Sequence, residues 1–347
     1  MKSSQRHIIP LEKCIVALDT NVARTLGEST TCPDWLDTFG QMASSGEYAF
    51  ALADGAFAEL LNQITKPEGG MSEPCFSRMI QGLETFLDPE YPIILGKRDI
   101  LGMLGIAGKD PWCASEVRDL SKDGWQKLCN IQSEPKNSQY HSKLEKILQD
   151  EREEWIAQFD KFDSHLALEL ATVKERIARF QSYSGVYALS FRNLLLDLQQ
   201  KLHALDNLKE LEGKVLKDAL AELDADRPLA GISMSARCDL QIRYLYRQWV
   251  RTRKSKHAYS PASHNNRNDG IDFDFYRFLM LPALVVTEDK GFLTRISDIS
   301  SPQKTWFMTP QELAASWLRG DRPWPIWAQN RVCALSDPPF FLACEVR

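Results

Sequence analysis

Two segments far apart in the chain each place an aspartate close behind an aliphatic run. Asp19 follows such a run within Cys14–Val22, and Asp289 follows another within Leu284–Phe292. An apolar run without alternation is typical of a buried parallel strand, and the carboxyl ends of parallel strands line the crevice where ligands bind. Carboxylates that converge there can hold a hard divalent cation, because such ions take oxygen ligands. The two motifs therefore predict metal-dependent chemistry on a phosphodiester.

Further acids could complete such a site. Glu59 lies on a predicted helix after a short apolar run, and Asp272 stands at the start of a predicted helix that leads into the second motif. Asp269 and Asp274 are close enough to serve instead of Asp272, which we favour for its position at the helix start. Four acids around one crevice repel unless Mg²⁺ or Mn²⁺ ions bind them, and such ions can activate a water for in-line displacement. The alternative is that each acid is a helix cap or a solvated surface charge.

The composition indicates a globular protein of the cytoplasm. The chain has 347 residues, of which 44% are hydrophobic, and a formal net charge of −5. That length predicts about two domains, and the charge means that any basic surface for nucleic acid must be local. The cysteines are dispersed without a Cys-x-x-Cys pair, which argues against structural zinc and suits a reducing compartment. We find no signal peptide and no apolar run long enough to span a membrane.

The first and last thirds of the chain predict an α/β fold with a central parallel sheet flanked by helices. Predicted strands lie at Cys14–Leu18, Tyr48–Leu52, Leu284–Val286 and Trp306–Met308. Predicted helices lie at Asp34–Ala43, Asp54–Ile64, Ile271–Met280 and Pro310–Leu318. In a parallel sheet each strand is followed by a crossover, so this alternation is the expected pattern.

The middle third predicts a long helical hairpin. Apolar residues recur in steps of three and four from Tyr140 to Phe180, a turn follows at Ser182–Gly185, and a second helical pattern runs from Leu189 to Leu223. We therefore expect a discontinuous core at 11–112 and 232–318, a helical insertion at 113–231 and a tail at 319–347. The insertion is a candidate scaffold, or a surface for a second copy or another protein.

A basic helix is predicted at Arg237–Lys256. It carries cations at steps of four, four and three, namely Arg243, Arg247, Arg251 and Lys254. Such a ridge could hold a phosphate backbone, with Tyr244 and Tyr246 stacking on bases. The alternative is an ordinary amphipathic helix whose charged face is solvated.

Four segments together resemble one family. Asp19–Val22 after its buried strand resembles the opening signature of PIN domains, and Val286–Phe292 resembles their late Thr-x-Asp motif. Glu59 falls where that family places a glutamate on a helix, and Asn268–Asp272 resembles the segment that supplies the third acid. The resemblance covers the chain near 14–65 and 265–315.

The resemblance implies a metal-dependent nuclease, most often an endoribonuclease that is a toxin, a processing enzyme or a defence effector. It implies Mg²⁺ or Mn²⁺ as cofactor, RNA as substrate and single-stranded DNA as the alternative substrate. By this resemblance the metal ligands are Asp19, Glu59, Asp272 and Asp289. The supporting polar groups are Thr20, Asn21 and Thr287.

Two alternative functions stay open at this level. One is a DNA nuclease of the related flap-cleaving kind, which carries a larger set of acids; Asp269, Asp274 and Glu288 are the spare ones here. The other is a PIN-like adaptor without catalysis, which docks through its helical hairpin. The complete set of four acids favours an enzyme over the adaptor.

Overall fold

The computed structural model describes most of the chain. The described residues are 13–66, 70–96, 99–100, 112–131, 138–181, 196, 199–200, 234–252, 259–266, 268–281 and 283–325. They fall into two compact units. The first unit lies within Met1–Asp150, Arg227–Gln241 and Ile271–Arg347, and the second within Glu151–Asp226 and Ile242–Gly270.

The first unit contains a parallel sheet flanked by helices, so the expected α/β class is confirmed. In the described part of the chain the sheet has five strands in the order β3-β2-β1-β4-β5, and every pair is parallel. The strands are β1 Cys14–Leu18, β2 Tyr48–Ala53, β3 Ile93–Ile94, β4 Ala283–Val286 and β5 Phe307–Met308. Only β3 was not expected from the sequence, because two residues are too short for a periodic signal.

Strand β1 lies at the centre of the sheet, which explains why its whole run is apolar. It pairs with β2 from Cys14 to Leu18 on one side and with β4 on the other, where Leu18 stands opposite Val286. The chain moves outward from β1 through β2 to β3, and β4 then returns to the opposite side of β1. The order therefore reverses between β1 and β4, and this is the switch point where open α/β sheets bind ligands.

Helices connect the strands. In the first third they are α1 Thr20–Glu28, α2 Leu36–Ser44, α3 Asp54–Thr65 and α4 Glu73–Glu84. They continue with α5 Ala114–Asn130, α6 Ser138–Gln181, the short α7 Met234–Arg237 and α8 Asp239–Thr252. The last are α9 Asp269–Phe278, α10 Lys290–Ile296 and α11 Pro310–Leu318, and 3₁₀ turns lie at His264–Asn266 and Pro302–Trp306. Helix α11 matches its predicted bounds because a capping box between Thr309 and Glu312 sets its start.

The edge strand β3 is held by α5, which lies inside the range predicted as an insertion. The Ser121 hydroxyl accepts from the Ile93 N–H at 2.9 Å and donates to the Ile93 carbonyl at 2.7 Å. Both backbone groups of Ile93 are thereby satisfied at a sheet edge, where they would otherwise be unpaired. Helix α5 approaches closely at Gly124, where an added Cβ would lie 2.8 Å from the Ile93 side chain.

An aromatic cluster packs α9 and α10 beside β5. The Tyr276 ring lies 5.6 Å from Phe292 and 5.3 Å from Phe307, and the last two rings are 4.9 Å apart. All three side chains are buried. Because buried aromatic contacts are worth several kcal/mol together, this cluster fixes α9 next to the start of α10.

The middle third of the chain contains one long helix in its described part, and the predicted hairpin stays a prediction. Helix α6 is 44 residues long and spans the region expected to be helical. The predicted turn and the second arm at Leu189–Leu223 lie outside the described residues, apart from a few helical positions. No described helix is both long and apolar enough to cross a membrane.

Candidate active site at the carboxyl edge of the sheet

Asp19 stands at the switch point and uses its two carboxylate oxygens for different partners. Oδ1 accepts the Thr20 N–H at 2.6 Å and so caps the start of α1. Oδ2 accepts the Thr287 hydroxyl at 2.7 Å. The side chain is nearly buried, with 8% of the residue exposed. The geometry of Asp19 is therefore consistent with a helix cap and also with an acid of a metal site.

Burial raises the pKa of Asp19 to about 7 from an ordinary 3.8. The main cause is loss of hydration around the charged form, which the hydrogen bond from Thr287 partly offsets. The negative charges of Glu59 and Asp289 raise it further. The charges of three carboxylates therefore act on one another at this edge of the sheet, and a cation there would stabilise all three.

Asp289 has the same relation to α10 that Asp19 has to α1. Its Oδ1 accepts the Phe292 N–H at 2.9 Å and caps that helix. Its own N–H donates to the Thr287 hydroxyl oxygen at 3.0 Å, and the same hydroxyl donates to Asp19. Thr287 therefore links the two strand-end aspartates directly.

Asn21 fastens the segment after β4 to the start of α1. Its Nδ2 donates to the Thr287 hydroxyl oxygen at 3.2 Å, and its Oδ1 accepts the Glu288 N–H at 2.8 Å. The Glu288 side chain accepts from Thr25 on α1 and lies 3.5 Å from the Gln311 amide. The supporting role expected for Asn21 and Thr287 thus has a physical basis, and Glu288 is used in joining α1 to α11.

Glu59 is brought to the same edge through Thr20. The buried Thr20 hydroxyl donates to Glu59 Oε2 at 2.5 Å, and Thr20 follows Asp19 in the chain. Glu59 lies on α3, the helix that follows the neighbouring strand β2. Its charge acts on Asp19, as the raised pKa of that residue shows.

Among the three candidates for the third acid, Asp272 is the one that lies beside Asp289. The Arg295 guanidinium lies 3.2 Å from Asp272 Oδ2 and 3.9 Å from Asp289 Oδ2, so the two acids share one cation. Asp274 instead forms an ion pair with Arg277 on its own helix. Asp269 is buried in the second unit, where its Oδ2 accepts the Tyr259 hydroxyl at 2.7 Å.

Two charged residues at this edge were missed from the sequence. Asp54 follows β2 directly, and an added Cβ on Gly96 would lie 1.7 Å from its Oδ2, so the carboxylate rests against the loop after β3. The signal for Asp54 was the same one that identified Asp19, an apolar strand followed by an aspartate. Arg295 had no such signal, because its partners come from another helix.

The donor set fits a hard divalent cation in its chemistry. The acids and hydroxyls at this edge offer oxygen atoms, the ligands that Mg²⁺ and Mn²⁺ take. Glu59 and Asp289 add to the rise in the pKa of Asp19 that burial causes, and a cation would offset their charges. Within the described residues no group of three or more acid, histidine or cysteine side chains is assembled at metal-binding distances. On the expectation from the sequence, the residues that would hold the ion are Asp19, Glu59, Asp272 and Asp289.

The basic helix α8 differs from its predicted role in one respect. Tyr244 and Tyr246 are buried, so they are unable to stack on bases, and that expectation was wrong. The buried face of α8 therefore includes these two tyrosines in addition to the apolar residues whose spacing predicted the helix. Arg251 donates to Gln248 and lies over the Tyr259 ring at 5.4 Å. The other cations of the ridge are half-buried at Arg243 and Arg247, and Lys254 lies outside the described residues.

Comparison with known proteins gave no match for the chain. No protein-family model, no curated protein and no solved structure matches it at a significant level. The PIN-like character of the chain is therefore a resemblance carried by the strand-end motifs around Asp19 and Asp289 and by the acids between them.

Proposed function

We propose that the protein is a metal-dependent endonuclease that hydrolyses RNA phosphodiester bonds. The observation that supports this most is the meeting of Asp19 and Asp289 through the Thr287 hydroxyl, at the switch point of a parallel sheet. Acids from the two ends of the chain are held together there despite their repulsion. Burial of Asp19 beside other acids costs stability, and an acid with a perturbed pKa is typical of functional sites.

The proposed ligands for Mg²⁺ or Mn²⁺ are Asp19, Glu59, Asp272 and Asp289. A bound divalent ion would polarise a phosphate, activate a water and stabilise the leaving oxygen. The chain's own contribution is orientation: Asp19 and Asp289 each keep Oδ1 in a helix cap, which fixes the direction of Oδ2 before any ligand binds. Thr20 orients Glu59 through its hydroxyl in the same way.

The spare acids named from the sequence do not supply the larger set expected of a flap-cleaving DNA nuclease, and Asp54 is the acid at this edge that could enlarge the site. The three spare acids have other partners: Asp269 has Tyr259, Asp274 has Arg277, and Glu288 has Thr25. RNA rather than DNA as the substrate follows from the resemblance to PIN domains, as do the roles of toxin, processing enzyme or defence effector.

The proposed nuclease core comprises 11–112 and 232–318, and 113–231 is the insertion. A non-catalytic adaptor that docks through this insertion is the alternative. Burial raises the pKa of Asp19, and the charges of Glu59 and Asp289 add to that. An adaptor gains nothing from an acid placed in this way, which favours an enzyme. The insertion is a proposed surface for a second copy or a protein partner.

Cleavage of end-labelled RNA and DNA of identical sequence tests the proposal. We expect cuts in RNA with Mn²⁺ or Mg²⁺ and none with EDTA. Asp19→Asn and Asp289→Asn should each lower cleavage by about 100-fold or more. Glu28→Gln is the matched control, because Glu28 is exposed at the other end of α1 and pairs with Arg24 on the same helix.

The two alternatives predict other results. Faster cutting of DNA than of RNA would favour the flap-cleaving class. Cleavage that survives both aspartate substitutions, or that needs no divalent ion, would contradict the proposed site. A folded wild-type protein that cuts neither strand and binds no divalent ion would favour the adaptor.

A further inference from the structure

Arg295 connects two of the proposed metal ligands. Its Nη2 lies 3.2 Å from Asp272 Oδ2 and 3.9 Å from Asp289 Oδ2. Arg295 stands in the last turn of α10, the helix that Asp289 caps, whereas Asp272 is on α9. A single guanidinium thus neutralises part of the charge of two acids from different helices.

The two ion pairs are suited to exchange. The side chains of Arg295, Asp272 and Asp289 are 29%, 24% and 40% exposed, so water reaches all three. Ion pairs at such accessible positions contribute little free energy. A divalent cation with oxygen ligands competes well against them, since it carries twice the charge and binds both carboxylates directly.

Arg295 is not required to hold α9 against α10. The buried contacts of Tyr276 with Phe292 and Phe307 already pack these helices together. Arg295 lies within hydrogen-bonding distance of Asp272 and farther from Asp289.

We propose that Arg295 is an exchangeable counter-ion of the site, which a divalent cation must displace from Asp272 and Asp289 when it binds. This inference rests on the proposed function, because it takes those two acids as metal ligands. Guanidinium groups keep their proton at any working pH, so only displacement removes the competition.

Direct measurement of Mn²⁺ binding tests this without substrate. Free Mn²⁺ is followed by its electron paramagnetic resonance signal during titration of the wild type, Arg295→Gln, Arg295→Lys and Arg319→Gln. Arg319 is the matched control, since it loses the same charge and its exposed pair with Asp321 lies at the end of α11. Arg295→Gln should bind Mn²⁺ about three- to tenfold more tightly than the wild type, Arg319→Gln should equal it, and Arg295→Lys should lie between.

The outcomes separate the inference from the proposed function. Wild-type protein that binds no Mn²⁺ overturns both. Wild-type binding with unchanged or weaker binding in Arg295→Gln overturns the inference alone, because the residue then acts only as a clamp. If Arg295→Gln does not fold, the charge-conserving Arg295→Lys carries the test, and an affinity equal to that of the wild type overturns the inference.

Discussion

The Thr287 hydroxyl donates to the Asp19 carboxylate at 2.7 Å across 268 positions of sequence. The same oxygen accepts the Asp289 N–H and the Asn21 amide, so one hydroxyl joins four residues at the switch point. Thr287 is itself buried, which removes competing water. The geometry of the proposed site therefore depends on an uncharged side chain as much as on the acids.

Thr287→Val should weaken the site and the fold together. Valine keeps the shape but leaves buried Asp19 without this donor, which raises the pKa of Asp19 further because the bond favours its charged form. We expect a loss of about 1–3 kcal/mol in the free energy of unfolding. Cleavage should fall by about 10- to 100-fold, the usual effect of removing a group that orients a metal ligand. Urea unfolding and cleavage assays measure the two effects. Thr287→Ser, which keeps the hydroxyl, should stay near wild type, and an equal loss in both variants would contradict the argument.

The raised pKa of Asp19 predicts that stability falls as pH rises. Folded Asp19 holds its proton up to about pH 7, whereas the unfolded side chain releases it near 3.8. The folded state therefore binds more protons between these values, and the free energy of unfolding decreases from about pH 4 to about pH 7 and stays low above. At full shift the effect is about 4 kcal/mol.

Asp19→Asn should remove this part of the pH dependence. Urea unfolding at several pH values, with EDTA present, gives the difference between wild type and variant, in which other titrating groups cancel. The variant should be the more stable protein at pH 8 and gain no advantage near pH 4. A constant difference across this range would mean that Asp19 titrates normally.

Divalent ions should restore the stability that the wild-type protein loses as pH rises. Cations bind deprotonated carboxylates, so Mn²⁺ should raise the unfolding temperature more at pH 8 than at pH 5. At 100-fold excess over its dissociation constant the ion stabilises by about 3 kcal/mol. Thermal unfolding followed by circular dichroism measures this, with Asp289→Asn as the variant that should lose it. Equal stabilisation of wild type and Asp289→Asn would place the ion elsewhere.

Local signals in the sequence identified the strand-end acids, and tertiary packing decided the rest. Strand β1 and Asp19 are consecutive, so the pattern of a buried strand and an acid was sufficient to predict them. Asp54 carries the same pattern after β2, and it was missed because the family motif pointed to Glu59 instead. The contacts of Arg295 could not be predicted from the sequence, because they depend on how closely α9 approaches α10.

The sequence also failed to indicate which side chains of helix α8 are buried. The spacing of residues in α8 predicted an apolar seam. It did not indicate which further side chains of this helix are buried by aromatic neighbours. Tyr244 stacks with Trp155 at 6.4 Å, and Tyr246 contacts Trp249 at 6.2 Å, so both rings belong to the core. The sequence placed these tyrosines next to cations and so predicted a base-stacking surface. Packing within the second unit buries both rings instead.

Asparagine substitutions distinguish the third acid from its neighbour. Asp272→Asn should lower cleavage strongly, because it removes a proposed ligand that faces Asp289 through Arg295. Asp274→Asn should leave cleavage within a few-fold of wild type, since that acid pairs with Arg277. The measurement is the rate of RNA cleavage at saturating Mn²⁺. Loss of cleavage in Asp274→Asn with retention in Asp272→Asn would exchange the two assignments.

Asp269 has a structural role that Tyr259→Phe should reveal. In the second unit the Trp155 indole N–H donates to the Tyr259 hydroxyl at 3.0 Å, and that hydroxyl donates to Asp269 at 2.7 Å. Burial and the charge of Asp269 raise the pKa of Tyr259, so the hydroxyl remains a donor at all working pH values. Removing the Tyr259 hydroxyl takes one hydrogen bond from each of two buried groups and should cost about 1–3 kcal/mol in the free energy of unfolding.

Asp269→Asn keeps an acceptor for Tyr259 and should cost less stability, with cleavage at saturating Mn²⁺ close to that of the wild type. Urea unfolding and cleavage rates measured on both variants check this, and a stable Asp269→Asn protein without cleavage would make Asp269 a ligand instead.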